Sequence, residues 1–288
     1  MKAVYRNAVS QYTVRQWCLN RLAQWSTPHS RQVVKVDGVD VHLTHIGDQA
    51  AKVVFLPGTN FNAATSLELG SALGERWPTM IIDLPGQPGL SSGHRPHNPH
   101  DGWYGRILAK VLEATAAREV VVVGHSLGAA VALGCDSPRV GARVLCSPAG
   151  ITRLGMDIPL LACSTRWLLT PTVAASRRLL NLLTAPGHRA SRTAAEWMSL
   201  IGHHCRTTLA PPPQPLAVLR RAAETTMVVA TGEHDRFLGP RRLTKAVRRD
   251  LDAPLRALPG VGHLVGDERP GEIVNLIEGV LTRSPKAH

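Results

Sequence analysis

Five short apolar runs, Val53 to Leu56, Met80 to Leu84, Val120 to Val123, Val144 to Cys146 and Met227 to Ala230, constrain the fold of this chain more than any other feature. They lack the polar alternation of a half-exposed strand, so each predicts a strand covered on both faces. Helical spacing fills the stretches between them, and strand, helix, strand repeats build a mostly parallel sheet with helices on each side. The class is α/β. Ahead of these runs, Gln32 to Val36 and Val39 to Ile46 alternate around Asp37-Gly38, a dipeptide suited to a tight turn, and predict an antiparallel hairpin. Residues 2 to 25 carry helical spacing (Val9, Tyr12, Gln16, Leu19, Leu22) and stop before Ser26-Thr27-Pro28, which predicts a leading helix within residues 1–28.

The rhythm breaks from about Ile151 to Pro215. Two helical segments, Arg166 to Leu183 and Arg192 to Leu209, and the loop Pro211-Pro212-Pro213 offer no strand candidate. The expected organisation is a core domain of residues 29–150 and 216–288, with residues 151–215 inserted as a helical lid. Its Leu- and Trp-rich faces suit a lid over the carboxyl edge of the sheet, where α/β proteins bind ligands.

Composition narrows the classes. With 288 residues, 44% hydrophobic and 19% charged, the chain can bury a sizeable core, which excludes fibrous and disordered classes. No apolar run approaches the roughly 18 to 20 residues of a membrane span. The amino terminus carries Lys2, Arg6, Arg15 and Arg21 without an apolar stretch between them, so it does not read as a secretory signal, and a cytoplasmic location is expected. Cys18, Cys135, Cys146, Cys163 and Cys205 are scattered and odd in number, which suits neither a disulfide framework nor a zinc site. The net charge is +12, and residues 139 to 256 hold 18 basic and 7 acidic side chains. Such a bias could steer an anionic substrate or an acidic carrier protein to the basic lid region. A nucleic-acid role is not expected, because aromatics are only 4% and no basic patch is interleaved with them.

The chemistry begins at Gly124-His125-Ser126-Leu127-Gly128, which follows the strand Val120 to Val123 and precedes Ala129-Ala130-Val131-Ala132-Leu133, a good helix former. A G-x-S-x-G turn between strand and helix strains the serine backbone and leaves its hydroxyl exposed at the sheet edge. Serine is a weak nucleophile without a base and a group that orients the base. Met227 to Ala230 runs into Thr231-Gly232-Glu233-His234-Asp235, placing a carboxylate at a strand end. Leu258-Pro259-Gly260-Val261-Gly262-His263 puts a histidine after the next short strand, Leu255 to Leu258, with one helix, Pro240 to Leu251, between acid and base.

With Ser, Asp and His in that order, the chain resembles the α/β-hydrolase superfamily throughout its length. The resemblance implies Ser126 as nucleophile, His263 as general base and Asp235 as the acid that fixes the histidine tautomer. It implies a mostly parallel central sheet with an antiparallel N-terminal hairpin, flanking helices and a lid between strands 6 and 7. Ile82 to Ser91 is similar to the family's D-x-P-G-x-G-x-S loop, with Pro88 inserted. The amino-terminal helix, Pro57-Gly58-Thr59 and Ser147-Pro148-Ala149 resemble bacterial carboxylesterases.

An oxyanion hole needs two backbone N–H donors, and Leu127 and Thr59 fit. Here the chain departs from the family, since Pro57 stands where a histidine is usual; the Thr59 or Asn60 side chain is expected to brace the loop instead. Asn60, His125, Trp167 and Trp197 are the candidate substrate contacts. Glu233 competes with Asp235 for the acid role, but the turn position favours Asp235. Asp83 suits loop capping. His94, His97 and His100 share a proline-extended loop without tetrahedral spacing, so neither metal nor organic cofactor is expected. The expected activity is hydrolysis of a small or medium carboxylic ester through an acyl-serine. A thioesterase, a lactonase or a lactone-forming acyltransferase uses the same triad, and a non-catalytic ligand-binding protein on the same fold is the reading from another class.

Overall fold

The computed structural model describes residues 2–95, 101–116, 118–206 and 211–282. Eight strands form one sheet: β1 (His29–Val36), β2 (Val39–Ile46), β3 (Val53–Leu56), β4 (Thr79–Ile82), β5 (Val120–His125), β6 (Val140–Cys146), β7 (Thr226–Gly232) and β8 (Leu255–Leu258). Their spatial order is β8-β7-β6-β5-β3-β4-β2-β1. Only β2 runs antiparallel to its neighbours, β1 and β4; the remaining pairs are parallel. The hairpin turns at Asp37 and Gly38, with φ of 50° and 74°, the two positive values that a two-residue turn compatible with strand twist requires.

The unbroken apolar runs have a direct physical cause. Successive strand residues face opposite sides, and both sides are interior. Val53, Phe55, Val121 and Val123 enter one buried cluster, while Val54, Leu56, Val120 and Val122 enter the other. The helices are α1 (Ala8–Ala23), α2 (Leu67–Gly74), α3 (Trp103–Thr115), α4 (Leu127–Gly134), α5 (Ile158–Leu169), α6 (Val173–Leu183), α7 (Arg192–His204), α8 (Leu216–Ala223), α9 (Pro240–Leu251), α10 (Val265–Glu268) and α11 (Pro270–Leu281). The first cluster is closed by α1, α2, α11 and the inserted helices α5 to α7, the second by α3, α4, α8 and α9.

Two expectations are corrected. The leading helix begins at Ala8, because the Asn7 side chain accepts from the Ser10 N–H and caps it. The residues before it are extended: Lys2–Ala3 pairs with His94–Arg95, and Arg6 N–H donates to His204 C=O. The buried face of α1 is Ser10, Val14, Cys18 and Leu22, whereas Val9 and Tyr12 are exposed, so the period was legible but not the face. In the insertion, the helix expected over Arg166 to Leu183 is two helices. α5 ends at Leu169 and α6 restarts after Pro171, which has no N–H to continue the ladder, with Thr172 capping the Ala175 N–H. The expected end of the next helix, Leu209, lies outside the described residues, as do His97 and His100.

Candidate active site

The elbow forms because two backbones come too close for a side chain. A Cβ on Gly128 would sit 2.0 Å from the Leu56 carbonyl oxygen, and one on Gly124 would sit 2.5 Å from the Ala129 Cα. Between them Ser126 adopts φ 50° and ψ −110°, a strained conformation for a residue with a side chain. The turn is held from both sides: Ser126 N–H donates to Cys146 C=O at 3.0 Å, and Ser126 C=O accepts from Ala149 N–H at 3.2 Å.

Asp235 lies just past the end of β7, inside a tight turn. One carboxylate oxygen accepts the Phe237 and Leu238 N–H groups, both at 2.8 Å. The other accepts the Thr231 hydroxyl at 3.3 Å and pairs with His263 Nδ1 at 2.8 Å. Burial alone would raise this carboxyl; the adjacent His263 ring, through charge and hydrogen bond, outweighs it together with bonds from Ser147 and Leu238, and the pKa falls to about 2. An ionised carboxylate only accepts, so His263 Nδ1 carries the proton and Nε2 is left with a lone pair. Glu233, the competing carboxylate, instead accepts from Gly260 N–H at 3.1 Å and is exposed.

The His263 loop is itself anchored. His263 N–H donates to Leu183 C=O at the end of α6, Glu268 accepts the Gly262 N–H, and the ring stands edge-on to Phe237 with centroids 5.1 Å apart. His125 packs on the other side and donates Nε2–H to His263 C=O at 2.8 Å. Its pKa is lowered to about 4, first by burial and then by the neighbouring His263, so it is neutral near pH 7.

Ser126 and His263 open onto one cavity of about 240 Å³. Its wall is mostly apolar: Leu154, Met156 and Leu168 come from the insertion, and Phe237 and Leu264 from the loops around the Asp and His. Thr59, Asn60, His125 and Trp167 also line it. Among the described residues, neither the Thr59 N–H nor the Leu127 N–H has an acceptor within the protein, and Leu127 is the first residue of α4, where helical donors are unpaired.

Residues 53–276 match the sequence pattern of the Alpha/beta hydrolase family. The chain belongs to that family. The solved structures agree in fold. A Bacillus subtilis protein classed as a hydrolase superposes with a TM-score of 0.80 at 14% identity, covering 96% of this chain and 100% of that one. Bacillus subtilis naproxen esterase gives 0.75 at 15%, covering 96% and 98%. Bacillus subtilis carboxylesterase CesB gives 0.74 at 15%, covering 95% and 99%. Among curated proteins, no sequence matches the chain.

In this α/β hydrolase the loop after β3 is braced differently from expectation. Neither the Thr59 nor the Asn60 side chain replaces the histidine that Pro57 displaces. Gln87, buried in the Pro-Gly loop after β4, accepts the Asn60 N–H at 3.0 Å through its side-chain oxygen. Trp197 donates its indole N–H to Asn60 C=O at 2.8 Å. Asn60 is thereby held at φ 68°, a left-handed conformation that asparagine tolerates. Trp197, expected among the substrate contacts, is off the wall of the Ser126 cavity: it is fully buried against Trp17, with centroids 4.6 Å apart. Gln87 carried no local signal, since its partner Asn60 lies in another loop, and Glu268 joins the nearby Gly262 to the distant Ala185. Asp83 accepts the Ala63 and Leu90 N–H groups and ties two loops together.

Proposed function

We propose that this hydrolase cleaves carboxylic esters through an acyl-enzyme on Ser126. The observation that carries the reading is the 2.8 Å bond between His263 Nδ1 and Asp235, next to a serine held at positive φ on the same cavity. Ser126 Oγ attacks the ester carbonyl while His263 Nε2 takes its proton. The N–H groups of Leu127 and Thr59 bind the oxyanion. The intermediate collapses, the His263 proton leaves with the alcohol, and the acyl group stays on Ser126. Water, deprotonated by the same nitrogen, then releases the acid and restores the serine. Asp235 stabilises the imidazolium throughout and remains ionised.

The cavity supports a small or medium substrate. About 240 Å³ falls below the range of roughly 300 to 1,000 Å³ typical of drug-sized ligands, and its apolar wall suits an alkyl or aryl acyl group. The esterases among the structural neighbours support the same reaction class.

Titration with a fluorophosphonate, wild type beside Ser126→Ala, combined with turnover of p-nitrophenyl esters of increasing acyl length, tests this. Stoichiometric labelling and turnover, both lost in Ser126→Ala, are expected. Labelling without ester turnover would replace the reading by thioester or lactone chemistry, and absence of labelling would remove the acyl-enzyme altogether.

A further inference from the structure

The insertion turns an apolar face outward. Of the ten large hydrophobic side chains exposed among the described residues, six lie between Met156 and Val173. On α5, Leu160 and Trp167 are buried, while Ile158, Leu161, Leu168 and Leu169 are exposed, Ile158 by 83% and Leu169 by 78%. At 100° per residue these four fall within one side of the helix, away from the buried pair. Thr165 is the one polar residue within this arc, and an exposed apolar arc on a helix that already buries its opposite side lacks a partner.

The surrounding charge identifies the partner. Arg166 borders the stripe on α5, and Arg153, Arg177 and Arg178 are exposed on the adjoining segments. Among the described residues these four have no carboxylate partner, whereas the acids of the insertion are already engaged, Asp157 with Arg236 and Glu196 with Arg192. An apolar stripe bordered by Arg166, with further unneutralised arginines on the adjoining segments, complements an anionic lipid surface, with acyl chains under the stripe and phosphates against the arginines. A second copy fits poorly, because a two-fold contact sets the same arginines against each other. With 12 residues α5 is too short to span a bilayer, and no helix among the described residues is long and apolar enough to cross a membrane. The stripe also continues into the site: Met156 and Leu168, exposed by 53% and 48%, line the cavity that holds Ser126.

We propose that α5 docks the protein on anionic lipid bilayers, from which an acyl ester reaches Ser126 past Met156 and Leu168. The docking stands on the surface alone, and the delivery step rests on the esterase reading. The test is cosedimentation of the full chain with vesicles of phosphatidylcholine, with and without about 30% phosphatidylglycerol, at about 50 and 500 mM NaCl. Binding is expected to the anionic vesicles and to weaken steeply with salt. The triple variant Ile158→Ser, Leu161→Ser, Leu169→Ser touches only exposed positions off the cavity wall. It is expected to lose affinity on the order of 100-fold while keeping wild-type thermal unfolding and turnover of a short soluble ester. Combining Arg166→Gln with Arg177→Gln is expected to cost about fivefold per arginine.

The proposal is overturned if wild type ignores anionic vesicles, if the triple variant binds as wild type does, or if the chain is a dimer that the triple variant dissociates. Vesicle binding by Ser126→Ala separates the two readings. Binding in a protein that cleaves no ester would sink the esterase reading and leave the docking surface standing, while soluble-ester turnover without binding would do the reverse.

Discussion

His125 lies one residue before Ser126 and donates its ring N–H to the backbone of His263, so it helps position the loop that carries His263. Burial and the neighbouring His263 bring its pKa from 6.5 to about 4. Below pH 6.5 the unfolded chain takes up a proton at this residue more readily than the folded one. Stability contributed by the neutral ring is therefore complete above about pH 6.5 and is lost progressively as pH falls toward 4. One edge of the ring faces the cavity, so screening reduces the loss to about 2 kcal/mol. Urea unfolding of wild type and His125→Gln at pH 7.5 and 4.5 checks this: the variant is expected to be less stable at pH 7.5 and to show a shallower decline, and parallel declines would refute the assignment. At this scale the meeting of Ser126, Asp235 and His263 in one place was legible because each sits in a short local pattern, a glycine-flanked turn, a strand end, a glycine-rich loop. Gln87 and Trp197 were not, because their roles exist only once residues 27 and 137 positions away are folded against Asn60.

The elements depend on contacts of that second kind. The loop after β3 is fixed by bonds to the N–H and the C=O of one residue, Asn60, from Gln87 in the loop after β4 and from Trp197 in α7, and it presents the Thr59 N–H. Trp197→Phe keeps the packing on Trp17 but removes the bond to Asn60. Its expected effect is a turnover loss on the order of 10-fold with KM little changed, smaller than the roughly 100- to 1000-fold loss when an oxyanion donor itself is removed. An unchanged kcat would show that Gln87 alone suffices. Arg143 on β6 works in a similar way. It is buried, and its guanidinium donates to the carbonyls of Ala132, Cys135 and Ala222, at the carboxyl ends of α4 and α8. The Ala132 and Ala222 carbonyls also accept from the N–H groups that close their helices, and a cation beside them suits the negative helix end. Arg143→Met is expected to lower unfolding stability by about 3 kcal/mol, since it removes three charge-assisted bonds and takes the donor from the Cys135 carbonyl, with Arg143→Lys intermediate. Urea midpoints read both. The sheet strands and α9 were readable from period and composition because their burial is imposed on both faces or on one clear stripe. The extended residues before α1 were not, since their pairing with His94–Arg95 and His204 is decided by distant segments. The break at Pro171 was visible in the chain, and proline chemistry outweighs the apolar period there.

At the scale of the molecule, the basic excess is spread more widely than the sequence bias toward the insertion implies. Of the 18 basic residues between 139 and 256, Arg220 and Arg221 lie on α8, and Arg241, Arg242, Lys245, Arg248 and Arg249 on α9, against the sheet face opposite the inserted helices. Asp250 pairs with Arg249, and Arg221 reaches Asp136, which leaves most of this charge to act through solvent as a field around the whole protein. Such a field attracts an anionic ester from a distance but adds nothing to its fit in an apolar cavity. Its signature is therefore kinetic: it raises the encounter rate and is screened once the Debye length falls below the spacing of the charges. For a p-nitrophenyl ester with a carboxylate at the far end of the acyl chain, kcat/KM is expected to fall several-fold between about 20 and 300 mM NaCl. For the neutral ester of equal length it is expected to stay level. Equal salt responses for the two would mean that the +12 net charge plays no part in substrate capture and serves solubility and surface binding alone.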